Sequence, residues 1–272
     1  FRIIPEMILN ITAMNEDRID PYFTYLHRFI NLRVLQIYGN FNQPIALPEG
    51  LHTLHLGDDN SGEHTKFNQP IKLPQGLKKL VFDWKSYFNQ PIDLPQGLES
   101  LKMADDSEFN GTTPGKDYLE LPDGLKILKI KQWSNFNQPI KTRMNDGTIR
   151  DGLPSGLQTL ETDGLKDYKT DNSYEDSDED SDEDSYYIGR WPEGLQKLIL
   201  GSDFRSNEPI ILPKGLKHLR LHDQFEKPFT TLYLPDGTPD YGVDGRYNVV
   251  DEWLTEKGGS LKHAEMDTDL HT

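Results

Sequence analysis

Apolar residues recur along this chain in a fixed figure, L-x-x-L-x-(apolar), which starts at Leu32, Leu51, Leu77, Leu98, Leu125, Leu157, Leu195 and Leu216, with Thr162 in the last place of the Leu157 copy. In each copy the last two apolar positions are two residues apart, so in an extended strand both face one side and the residues between them face the other. From Leu51 onward a Pro-x-Gly precedes the figure, as in Pro48-Glu49-Gly50 and Pro74-Gln75-Gly76. Proline presets φ and cannot extend a sheet, and glycine tolerates the left-handed conformation that would turn the chain into the strand. A second block, F-N-Q-P-I, lies upstream at Phe41–Ile45, Phe67–Ile71, Phe88–Ile92 and Phe136–Ile140, with a degraded copy at Ser206–Ile210. Two of the intervals, Leu77 to Leu98 and Leu195 to Leu216, are 21 residues long, and longer ones carry insertions between the strand figure and the next L-P-x-G. An insertion inside a strand would break register, and none falls there.

A short unit repeated with one strand per turn predicts a parallel β-solenoid, with eight strands running from near Leu35 to near Leu221. The return stretches are expected to be irregular. Phe and Ile of the second block should fill the core from the side opposite the strands. The recurrent asparagines Asn42, Asn68, Asn89, Asn137 and Asn207 are expected to be largely buried and to form a ladder of bonds to backbone groups of adjacent coils. Exposed solenoid ends need covers. The spacing of Ile19, Tyr22, Phe23, Leu26, Phe29 and Ile30 predicts an amphipathic helix over Asn15–Ile30, and Tyr247–Lys257 reads as a short closing helix. The domain division is then an N-terminal cap over 1–31, a leucine-rich-repeat-like solenoid over 32–234 with an acidic insertion at 164–190, and a C-terminal cap and polar tail over 235–272.

Composition narrows the function. An apolar share of 35% suits a solenoid with a thin leucine core. A formal net charge of −16 argues against nucleic acid or an anionic membrane as partner, and no apolar run approaches a membrane span. The absence of cysteine excludes disulfides, cysteine metal sites and a cysteine nucleophile, and favours a reducing compartment. The histidines read as solvated surface groups: His218 and His222 would stand about 13 Å apart on one strand, too far to share a metal. No triad and no phosphate loop stands out, so no catalytic residue, metal ligand or cofactor is assigned. The run Asp171–Asp184 holds nine carboxylates in fourteen residues, which reads as a solvated loop.

The outward positions of the strand figure (second, third, fifth and seventh) are the candidate surface. They carry ten basic residues against four acidic ones, a surplus of positive charge on an acidic protein. The candidate partner-binding residues are Lys79, Lys102, Lys129, Lys131, Lys197, Arg220, His55 and Tyr38. Along the fifth position Lys129 meets Glu161, along the seventh Lys131 meets Asp163, and Lys79 and Lys102 meet no acid in their rows. An acidic protein ligand is therefore expected around Lys79, Lys102 and Lys129, with the acidic insertion as a tethered competitor.

The F-N-Q-P-I blocks followed by L-P-x-G resemble FNIP repeats, a leucine-rich-repeat variant of social amoebae and of giant viruses of the mimivirus type. The resemblance covers roughly Leu32 to Leu234. It implies a non-enzymatic protein-binding scaffold, and the substrate-recognition arm of a ubiquitin-ligase adaptor if an F-box lies upstream, with ubiquitin-ligase subunits as further partners. Residues Ile4–Leu9 only faintly match the start of an F-box. A cytoplasmic address follows, in the host cell for a viral protein. The alternatives are a structural virion or particle component and, more remotely, a carbohydrate-binding solenoid, for which the outward face offers one aromatic residue, Tyr38.

Overall fold

The structure, a computed structural model, describes residues 7–11, 23–57, 65–131, 133–162, 191–201, 210–211, 213, 215–222, 232–233 and 263–267. Each L-x-x-L-x-(apolar) figure forms one short strand. These are β2 (Leu32–Ile37), β3 (Thr53–Leu56), β4 (Lys79–Phe82), β5 (Ser100–Met103), β7 (Ile127–Ile130), β10 (Thr159–Thr162), β11 (Lys197–Leu200) and β13 (His218–His222). They pair in parallel, in chain order, within one sheet. Two further strands extend it: β1 (Met7–Ile11) beside β2, and β15 (His263–Asp267) beside β13.

Register is kept from coil to coil. The fourth-position leucines Leu35, Leu54, Leu80, Leu101, Leu128, Leu160, Leu198 and Leu219 are direct neighbours across the strands and are buried. A one-residue slip would turn this whole column to the outside, so burial itself holds the register. Behind it the rings of Phe41, Phe67, Phe88, Phe109 and Phe136 stack at centroid distances of 6.0, 6.1, 6.1 and 6.0 Å. Just before this column the backbones stay hydrogen-bonded from coil to coil, as in Tyr87 N–H to the Thr65 carbonyl at 3.0 Å and Glu108 N–H to the Ser86 carbonyl at 2.8 Å.

In each Pro-x-Gly-Leu the leucine N–H donates to the proline carbonyl, at 3.0 Å for Leu51 and 3.1 Å for Leu77. The glycines of these turns do not take positive φ, contrary to the sequence expectation. Close approach explains some of them instead. A Cβ on Gly76 would lie 3.2 Å from the Glu49 carbonyl oxygen, and one on Gly97 would lie 3.1 Å from that of Gln75. At these two turns the preceding coil sits closer than a Cβ usually finds, whereas at Gly124, Gly156 and Gly215 the nearest oxygen would be an ordinary 3.5, 3.9 and 3.6 Å away.

The ends differ from expectation as well. Within the described part of Asn15–Ile30 the chain forms a 3-10 helix over Phe23–Arg28, and a strand (β1), not a helix, adds to that edge of the sheet. Strand β15 extends the opposite edge from within the stretch read as a loose tail. Residues Tyr247–Lys257 and the acidic insertion 164–190 lie outside the described residues.

The insertion near Lys141–Gly152 is a folded strap. Strand β8 (Ile140–Arg143) pairs in parallel with β6 (Leu119–Pro122) and antiparallel with β9 (Ile149–Asp151), on the return side. Arg143 pins the strap to two earlier coils. Its guanidinium donates to Asp93 at 2.8 Å, to the Leu94 carbonyl, and to the buried Glu120 at 3.5 Å. Gln96 Nε2 donates back to the carbonyl of Met144 at 3.2 Å. The return side is thus more regular here than the sequence suggested.

Candidate functional site

The outward face of the sheet gathers the predicted residues, and their side chains pair on diagonals rather than along rows. Asp83 follows β4 and is 4% exposed, although its position in the figure points outward. His55 Nδ1 lies 2.8 Å from Asp83 Oδ2, and Lys102 Nζ lies 3.7 Å from Oδ1. The reading of His55 as a solvated histidine is therefore corrected: it is half-buried and bonded to a buried carboxylate. Lys102, which meets no acid in its own row, has Asp83 one coil back.

A second cluster centres on Glu161 in β10, 7% exposed. Lys129 Nζ sits 3.1 Å from it, as the row predicted, and Lys131 reaches the other carboxylate oxygen. The expected partner of Lys131, Asp163, lies outside the described residues. Burial is the largest single influence on Glu161 and raises its pKa. The hydrogen bonds and charges of Lys131 and Lys129 together outweigh that, and the net shift is downward. Both acids thus stay inside the face and hold lysines down against it.

The second-position row is also tied up. Glu99 accepts from Lys126 at 2.7 Å and pairs with Lys78 at 3.2 Å, and its pKa is lowered by those bonds, Lys126 first. Lys79 and Lys197 are different. Both stand exposed at the third position, and neither makes an ion pair among the described residues. Tyr38 follows β2 and is half-buried. Arg220 lies in β13 between Ile199 and Glu265, and its side chain is outside the described set.

The asparagines stand elsewhere, on the return side, and their side-chain oxygens accept backbone N–H groups of the next coil. The side-chain oxygens of Asn42, Asn68 and Asn110 each accept twice from the next coil, and that of Asn89 accepts once. Asn42 Oδ1 accepts the Asn68 N–H at 2.9 Å and Gln69 Nε2 at 3.1 Å. Asn68 does the same for Asn89 and Gln90, at 2.9 and 3.0 Å. Asn89 accepts the Asn110 N–H, and Asn110 accepts from Asn137 and Gln138, each at 2.9 Å. Burial is the part that fails: Asn42, Asn89 and Asn137 are exposed and Asn68 is half-buried. The bonds lie on the return side, where they give backbone N–H groups of the next coil an acceptor. Asn207 lies outside the described residues.

Two features escaped the sequence reading. The glutamine of F-N-Q-P-I is the second donor of every complete ladder rung. A small hydroxyl residue also sits two positions before the phenylalanine, at Thr65, Ser86 and Ser107, all fully buried. The recurrence of Thr or Ser at that offset was the available signal.

Among the described residues no group of three His, Asp or Glu side chains is placed to hold a metal, and no helix is long and apolar enough to cross a membrane.

An open stack of parallel strands, one per repeat unit, defines a repeat scaffold. Within it, residues 67–106 match the FNIP Repeat family model, so that part of the chain carries FNIP-repeat sequence. No curated protein and no solved structure matches the chain.

Proposed function

We propose that the protein is a non-enzymatic protein-binding scaffold that receives its partner on the outward-pointing face of the sheet. Solenoids generally bind along the concave surface that their curvature creates. The observation that carries the reading here is how that face is built. Buried Asp83 and Glu161 hold His55, Lys102, Lys129 and Lys131 in place, while Lys79 and Lys197 remain exposed beside them. Side chains ordered in advance lose less entropy on binding. The face therefore combines a rigid floor with exposed cations that are unpaired among the described residues, on a protein whose overall charge is −16.

Site-specific photo-cross-linking tests this. A photoreactive residue at Thr53 reports on the sheet face, and one at exposed Gln75 reports on the return turns. Cross-linked partners should be recovered from the first position and not from the second. Equal recovery from both would overturn the assignment of the face.

A further inference from the structure

Five third-position residues are lateral neighbours across β4, β5, β7, β10 and β11: Lys79, Ser100, Ile127, Thr159 and Lys197. The order is cation, hydroxyl, apolar, hydroxyl, cation, symmetric about Ile127. Ile127 is 36% exposed, an apolar side chain open to solvent at the centre of the row. The two lysines are exposed and make no ion pair among the described residues, and Ser100 and Thr159 are half-buried without a side-chain hydrogen bond there. The neighbouring fifth-position lysines do not crowd the centre, because Lys102 leans back to Asp83 and Lys129 leans on to Glu161.

From this row we infer a ligand class: a peptide segment of a partner protein with the pattern acid-x-x-apolar-x-x-acid, lying across the strands in a polyproline II conformation. The inference rests on the binding-face reading above and adds the chemistry of the occupant. The spacing selects the conformation. Each lysine is two strands from Ile127, about 9.6 Å. A polyproline II helix places residues i and i+3 on the same side about 9.3 Å apart. A β-strand puts i and i+3 on opposite sides, and its same-side neighbours at about 6.7 or 13.4 Å miss the spacing. An α-helix comes nearest at i+7, about 10.5 Å, and its backbone groups are already bonded. Polyproline II leaves its carbonyls unpaired, so the hydroxyls of Ser100 and Thr159 can donate to them. The apolar side chain would then cover Ile127 while the two carboxylates reach Lys79 and Lys197.

The test uses the full chain and a fluorescein-labelled peptide, Glu-Pro-Pro-Leu-Pro-Pro-Glu, in fluorescence anisotropy at low salt. Saturable binding is expected, and Lys79→Glu with Lys197→Glu should weaken it about tenfold, two exposed ion pairs of under 1 kcal/mol each. A peptide with both Glu replaced by Gln should lose about as much, and the difference between the two peptides should vanish in about 1 M salt. Absent binding, or equal affinity for both peptides or for the double variant, overturns the peptide class. The two readings separate through the cross-linking experiment. If Ile127→Asp abolishes sheet-face cross-linking while the peptide fails, the face stands and the acidic occupant falls. If neither peptide binding nor cross-linking responds to any of these changes, both fall.

Discussion

Lys102 and Lys129 are direct neighbours across β5 and β7, and their ammonium groups turn away from each other, one to Asp83 and the other to Glu161. Like charges side by side on a sheet are unfavourable. Here each finds a buried carboxylate on the opposite flank, so the pair is separated without losing either charge. The arrangement makes Glu161 a structural acid, and its removal has a defined cost.

Glu161 should make stability fall in acid. Its folded pKa is lowered from the ordinary 4.5. The stabilisation from its ion pairs is therefore complete above the unfolded pKa and is lost as pH falls through the folded one. Urea unfolding of wild type and Glu161→Gln, compared between about pH 6 and pH 3, should show the gap between them closing in acid. A constant gap would mean that the carboxylate charge is not what stabilises the fold.

The phenylalanine column should dominate the core. Phe109 stacks on Phe82 at 4.1 Å and on Phe88 and Phe136 in the neighbouring coils, and it is fully buried. Phe109→Ala should cost about 3–5 kcal/mol, as for other buried aromatic truncations. Chemical denaturation followed by circular dichroism measures it. The neighbouring coils should loosen first, since each contacts only the next.

The asparagine ladder should contribute less than a buried one. Asn68→Ala removes an acceptor used by the Asn89 N–H and by Gln90. With the rung half open to water, which can replace part of the loss, about 1 kcal/mol is expected, near the mean for a single hydrogen bond. Asn68→Asp keeps the acceptor and should be milder. Hydrogen exchange at the Asn89 amide reads the rung directly and should quicken in the alanine variant alone.

Arg143→Ala should release the strap from the coils beneath it. The change removes the bonds to Asp93 and Leu94 and leaves buried Glu120 without its arginine. A loss of about 1–3 kcal/mol is expected, since an orphaned buried polar group costs that much. Amide exchange over residues 140–151 should accelerate while exchange in β5 and β7 stays as in wild type.

Much of the fold was legible because a repeat states the same local problem many times. Any single L-x-x-L-x-(apolar) could be chance, but eight copies sharing a Pro-x-Gly entry admit few arrangements, and the columns of Leu and Phe follow from stacking identical units. The strands, their parallel order and the lateral rows could all be read before any coordinates. The match of residues 67–106 to the FNIP Repeat model was legible for the same reason, from the F-N-Q-P-I blocks.

The tertiary structure decided what the period leaves free. Rows predict neighbours at equal height, but a lysine side chain is long enough to reach a carboxylate two positions along the next strand, so Lys102 found Asp83 and Lys131 found Glu161. Turn glycines such as Gly76 and Gly97 sit close against the preceding coil's carbonyl without taking positive φ, which one unit in isolation does not reveal. The asparagines lie outside the core because each follows a phenylalanine whose ring takes the inward place, which leaves Asn42, Asn89 and Asn137 facing water. What depends on spacing along the chain was determined by the sequence, and what depends on distance between coils required them to be stacked.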